Sequence, residues 1–193
     1  MSVHDFFAHE QVDVAALARY FDGLSSELRA DEACDLSGRE QARLFDAAKG
    51  FRPTRLTDFV PAGKAPLEEV VHFGRNSMAL FSTFQKRFCR PSDEHARELW
   101  GYNEQPMRFF TGPGYFVARE IEHDEVLIDY TAVPAGRAPS WPEIAPNHAR
   151  LGRFVYDGTQ DAMRGVSRHV SVGRAARAGK WLDNWFLLCR DAA

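Results

Sequence analysis

Nowhere in this sequence do about 18 apolar residues follow one another, so it offers no membrane-spanning helix. The opening "MSVHDFFAHE" has no basic start followed by an apolar run, and no signal peptide is expected. Cysteine is scarce: Cys34, Cys89 and Cys189 stand far apart, with no CxxC pair and no His/Cys spacing suited to zinc. An odd, dispersed set argues against a disulfide framework and for a reducing, cytoplasmic setting.

The familiar signatures of catalysis are missing too. There is no GxSxG elbow and no HExxH, which removes most hydrolase and zinc-protease chemistry. "GRAARAGK" is one residue too long for a phosphate loop and has Trp181 where a magnesium-binding hydroxyl belongs, so it reads as a hairpin turn. "TGPGYF" lacks dinucleotide phasing, which leaves Gly112 and Gly114 as turn residues. The seven histidines show no pair at ligand spacing, and neither a metal nor a cofactor is expected. A net charge of -3 gives no overall pull towards nucleic acid. Aromatic and basic residues do interleave in "FSTFQKRF" and "MRFF", but core packing accounts for the phenylalanines better than base stacking.

What is present is the composition of a folded protein: 45% hydrophobic and 26% charged residues support a core. We expect a single domain over 1–193, with a helical N-terminal region at 1–50 and mainly antiparallel sheet from 64 to 191. A proline-rich loop should run from 134 to 147. Leu17, Tyr20, Phe21, Leu24 and Leu28 recur at helical spacing between Val12 and Leu28. Ser37 and Glu40 have capping-box spacing for a second helix that carries Leu44 and Phe45 inward and closes at Gly50. Pro53 and Pro61 mark an extended connector. The stretch 77–88, "SMALFSTFQKRF", reads as strand rather than helix, preceded by a turn at "FGRNS". "SDEHAREL" reads as a short helix capped by Ser92.

Beyond Trp100 the strands follow closely: "LWGYNEQ", "MRFFT", "YFVAREIE", "EVLIDYTAV", "RFVYDG", "GVSRHVSVGRA" and "KWLDNWFLLCR". Short turns without crossover helices imply an antiparallel meander. The fold class is α+β, N-terminal helices packed on a curled antiparallel sheet or closed barrel. The architecture resembles the lipocalin-type barrels in strand arrangement, not in any matched motif.

Facing residues then suggest a site. With a two-residue turn at His123 and Asp124, Arg119 falls opposite Ile128 on a face shared with Tyr115, Val117 and Tyr130. Arg119 should therefore point inward and need an anion, either a structural carboxylate or the acidic end of a ligand. A slip of one residue would put it in water. A turn at Ala178 and Gly179 sets Arg174 opposite Asp183, Val172 opposite Trp185 and Arg168 on the inner face. Arg119, Arg168, Tyr115 and Trp141 are thus the candidate ligand-binding residues. Tyr130 and His169 are the candidate acid/base groups, with His72 next. The loop at 134–147, stiffened by Pro134, Pro139, Pro142 and Pro146, is expected to close over the pocket through Trp141. The function this supports is the binding of a largely apolar small molecule with a polar or acidic end, with no nucleic-acid or membrane partner. Cofactor-free proton transfer of a cyclase, isomerase or lyase type would suit the same pocket. The rival is a non-catalytic interaction domain using the N-terminal helices or an exposed sheet face.

Overall fold

A computed structural model describes residues 1–78, 82–93, 95–105, 112–145, 147 and 156–191. Eight antiparallel strands follow one another around a closed barrel: β1 (Val70–Asn76), β2 (Thr83–Cys89), β3 (Leu99–Glu104), β4 (Tyr115–Ile121), β5 (Glu125–Asp129), β6 (Thr159–Gly165), β7 (Val170–Arg177) and β8 (Lys180–Arg190). β8 is the longest strand and closes the ring by pairing with β7 on one side and β1 on the other. Closure gives each of the eight strands a partner on both sides.

Four short helices precede the barrel: α1 (Val14–Gly23), α2 (Ser26–Asp35), α3 (Gly38–Ala47) and α4 (Leu56–Phe59). The helix expected over 12–28 is two, because Leu24 turns extended and Ser25 accepts from the Leu28 amide to start α2. The capping box at Ser37 and Glu40 forms as the spacing predicts, and Leu44 and Phe45 point inward. Leu17, Phe21, Leu44 and Phe45 pack with Val170, Val172, Leu187 and Cys189 on the outer wall of β7 and β8. The segment from Arg52 to Val60 crosses the barrel end where β1 begins and β8 finishes. There Phe59 stacks on His72 and packs at a tilt against Phe88, while Arg190 donates to the Asp58 carbonyl at 3.0 Å.

Two strands escaped the sequence. β1 contains the supposed turn at "FGRNS", and β6 holds "TQDAMRG", whose polar residues hid its alternation. No helix is present among the described residues of 92–98; Asp93 instead accepts from the backbone amides of His95 and Ala96. "GVSRHVSVGRA" spans the turn from β6 into β7 rather than one strand. "MRFFT" at 107–111 lies outside the described residues, as do Arg153, Phe154 and Val155 of "RFVYDG".

Inward residues alternate along every strand: Phe84, Lys86 and Phe88 on β2, Phe116 and Ala118 on β4, Asp161 and Met163 on β6, Phe186 and Leu188 on β8. Glycines make room for the larger rings. A Cβ on Gly101 would lie 2.3 Å from the Phe116 ring, and one on Gly173 would lie 2.4 Å from that of Phe186.

The hairpin between β4 and β5 corrects the expected faces. Its connection has three residues, Glu122 to Asp124, with His123 and Asp124 both at positive φ. Arg119 consequently faces Leu127, not Ile128, and every side chain on β4 turns to the other side. Tyr115 and Val117 look outward, and Phe116 and Ala118 line the interior. Between β7 and β8 the turn at Ala178 and Gly179 is as expected, but a bulge between Arg174 and Ala176 shifts the pairing beyond it by two residues. Val172 therefore faces Leu187 rather than Trp185, on the helix side of the wall.

The proline-rich strap lies along the outside. Trp141 is 3% exposed, packs against Tyr102 and Tyr115, and donates from Nε1 to Glu69. Tyr115 donates its hydroxyl proton to the Pro142 carbonyl at 2.6 Å. Asn147 donates to the carbonyls of both Tyr115 and Tyr130 at 2.7 Å.

Candidate functional site

The lower part of the lumen is filled. Phe88, Phe116, Ile128, Met163 and Leu188 belong to a continuous buried cluster with Phe59 and Val60. The upper part, where β1 ends and β2 begins, holds a cavity of about 370 Å³. Phe84, Tyr130, Tyr156, Leu182 and Phe186 supply its apolar walls, and exposed Met78 stands at its rim.

Four polar groups meet where the cavity borders the packed core. Lys86 is 3% exposed, yet its ammonium borders the cavity. It donates to Asn103 Oδ1 at 3.1 Å, to Asp161 Oδ2 at 3.3 Å and to the Tyr130 hydroxyl. Asn103 Nδ2 in turn donates to the Tyr130 hydroxyl at 2.9 Å. The rings of Phe84, Phe116, Tyr130 and Phe186 surround Lys86 Nζ, with centroids 4.9 to 5.5 Å away. Strand alternation creates this meeting point: Lys86 pairs laterally with Asn103 on β3, and Asp161 arrives from the far wall on β6.

Burial dominates the electrostatics. It pushes the Lys86 ammonium below its ordinary range, with Asp161 opposing the shift. It pushes the Asp161 carboxyl above its ordinary range, with Lys86 opposing. Burial thus pushes both groups towards their neutral forms, against the attraction that holds the ion pair. The Tyr130 phenol is raised well above its usual value by burial and then by the nearby Asp161 charge, so it remains a proton donor. The cluster can thus hold a proton on either side of one short gap.

Of the residues singled out in the sequence, Tyr130 alone lines this cavity. Arg119 lies on the outer wall, paired with Glu98 at 2.8 Å and with 47% of its side chain exposed. Arg168 is exposed in the turn before β7, at the opposite end of the barrel, where its amide donates to Asp22. His169 accepts from Arg190 at that end, and burial pushes it down to about 4. Tyr115 and Trp141 pack together outside the barrel, so the strap is an outer cover and not a lid over the pocket. His72 is buried in the filled half, its Nε2 donating to the Phe59 carbonyl at 3.0 Å.

The missed residues were Lys86, Asn103 and Asp161. The sign for Lys86 was in the alternation Phe84, Lys86, Phe88, where one charge sits between two phenylalanines on one strand face. No protein-family model matches the chain, and no curated protein matches it in sequence.

Proposed function

We propose that the protein binds a small, largely apolar molecule in the upper half of the barrel, with the ligand's polar end set against Lys86, Asp161, Tyr130 and Asn103. The observation that carries this reading is a nearly fully buried lysine bordering a cavity. A charge there meets several kcal/mol of desolvation, which packed apolar residues would avoid. Aromatic walls around a few convergent polar groups are the usual make-up of a small-molecule site. Because Lys86 already faces a carboxyl, a neutral carbonyl or hydroxyl end suits the cluster better than the carboxylate expected from arginines. An amine and a carboxyl 3.3 Å apart beside the cavity also suit cofactor-free proton transfer on the bound molecule. Interaction through the helices has less support, since the apolar faces of α1 and α3 are buried on the barrel.

The test compares native mass spectra of protein taken from cells with spectra after denaturation, for wild type and for Ala175→Phe, which fills the cavity from β7. A bound small molecule, lost in Ala175→Phe with the fold retained, supports the reading. A ligand retained in that variant, or displacement of an apolar fluorescent probe that ignores it, overturns the reading.

A further inference from the structure

We propose that Lys86 is a nucleophile that captures an aldehyde or ketone ligand inside the barrel as an imine; this rests on the reading of the cavity as a ligand site. The geometry supplies each part the reaction needs. Lys86 Nζ borders a space of about 370 Å³, large enough for a small aromatic or aliphatic carbonyl compound. Asp161 and Asn103 lie within 3.3 Å of that nitrogen, and the Tyr130 hydroxyl is in direct contact with it.

The steps balance without an outside reagent. The Lys86 ammonium gives one proton to the Asp161 carboxylate, and the freed lone pair attacks the carbonyl carbon. The C=O electron pair moves to oxygen, which takes a proton from Asp161 or Tyr130, while the nitrogen returns one to the base so formed. A second protonation lets the C–O bond break and water leave, as the nitrogen lone pair closes the C=N bond. One carbonyl and one amine give one imine and one water, with no change of oxidation state. The protonated imine carries its charge where four aromatic rings and Asp161 already surround the ammonium.

The choice of lysine is itself informative. The chain has four lysines against twenty arginines. Lys49 and Lys180 are exposed and Lys64 is part-exposed in a surface ion pair with Glu68. Ion pairing alone would be met by arginine, which supplies the cation of the part-buried wall pairs Arg87–Glu69 and Arg164–Glu125 and never gives up its proton. The one buried cation able to become a nucleophile stands at the cavity. Burial, which pushes its amine towards the neutral form, acts in the same direction.

The experiment uses 2-naphthaldehyde with sodium cyanoborohydride, and 2-naphthalenemethanol as a probe of the same shape that cannot condense. Intact-mass analysis of wild-type protein should show one adduct equal to the aldehyde less one oxygen. Peptide mapping should place it on Lys86, with Lys49, Lys64 and Lys180 unlabelled. Excess alcohol should block labelling, and Lys86→Met should lose it. The mapping is done on wild-type protein, so it stands even where that variant folds poorly. If the alcohol binds and Ala175→Phe abolishes its binding, yet the aldehyde labels only surface lysines or none, the imine is wrong and the binding site stands. If neither probe binds, both fail.

Discussion

Lys86 and Asp161 stand 3.3 Å apart on strands β2 and β6, which face each other across the lumen with three strands between them either way round. The pair therefore spans the barrel rather than its wall, and it fixes the depth to which the cavity can reach. Removing one partner should expose the weakness of that arrangement. Asp161→Asn leaves Lys86 without its anion and should destabilise by about 3 to 5 kcal/mol, whereas the double change Lys86→Met with Asp161→Leu should be neutral or stabilising. Urea unfolding of the three proteins checks this. A double variant as unstable as the single one would show that the pair contributes net stability.

Acid should weaken the fold through His72. Complete burial pulls this imidazole from 6.5 down to about 3, with the Phe59 carbonyl opposing. A folded-state value below the unfolded one means that stability is fully present above pH 6.5 and is lost as pH falls towards 3. The loss should approach about 1.4 kcal/mol per pH unit for this one proton. His169, pulled down to about 4, adds in the same sense over a narrower range. His72→Gln should flatten the slope of unfolding free energy against pH between 6 and 4; an unchanged slope would place the acid sensitivity elsewhere.

Trp141→Ala should cost roughly 3 to 5 kcal/mol, as buried aromatic truncations do, because Trp141 anchors the strap against Tyr102 and Tyr115. Ligand release should be unaffected. Stopped-flow displacement of a cavity probe separates this from a lid, which would open faster in the variant.

Arg119→Leu should shift stability by no more than about 1 kcal/mol, since its pair with Glu98 is solvent-exposed. Probe affinity should match that of wild type. A clear loss of binding would return Arg119 to the site.

Gly101→Ala is expected to destabilise by about 1 to 3 kcal/mol, because the added methyl meets the Phe116 ring and the Arg87 carbonyl at once. Gly50→Ala, by contrast, meets no steric neighbour and suffers only from its positive φ. Thermal unfolding of both proteins checks the contrast.

The barrel was legible because most strands alternate cleanly and hairpins such as that at Ala178 and Gly179 carry local turn chemistry. Where the alternation carried polar residues, as in "TQDAMRG", the strand vanished from view. The site was hidden for a related reason. A positive-φ pair at His123 and Asp124 lengthened one connection by a residue, and that local choice moved Arg119 to the surface and Phe116 to the interior. Periodicity shows which residues share a face, but the turn decides which face is inside. Asp161 meets Lys86 only after the chain has run halfway round the barrel, a relation no local spacing encodes.

The strap remote from the cavity is nonetheless tied to it. Asn147 holds the carbonyls of Tyr115 and Tyr130 through one amide, so the peptide that positions the Tyr130 phenol is gripped from outside the wall. Any event that lifts the strap at Asn147, such as a protease cut or a binding partner, would free the backbone that carries the Tyr130 phenol to the cavity. Among the described residues, the outer strap and the cavity wall are thus mechanically coupled through the Asn147 side chain.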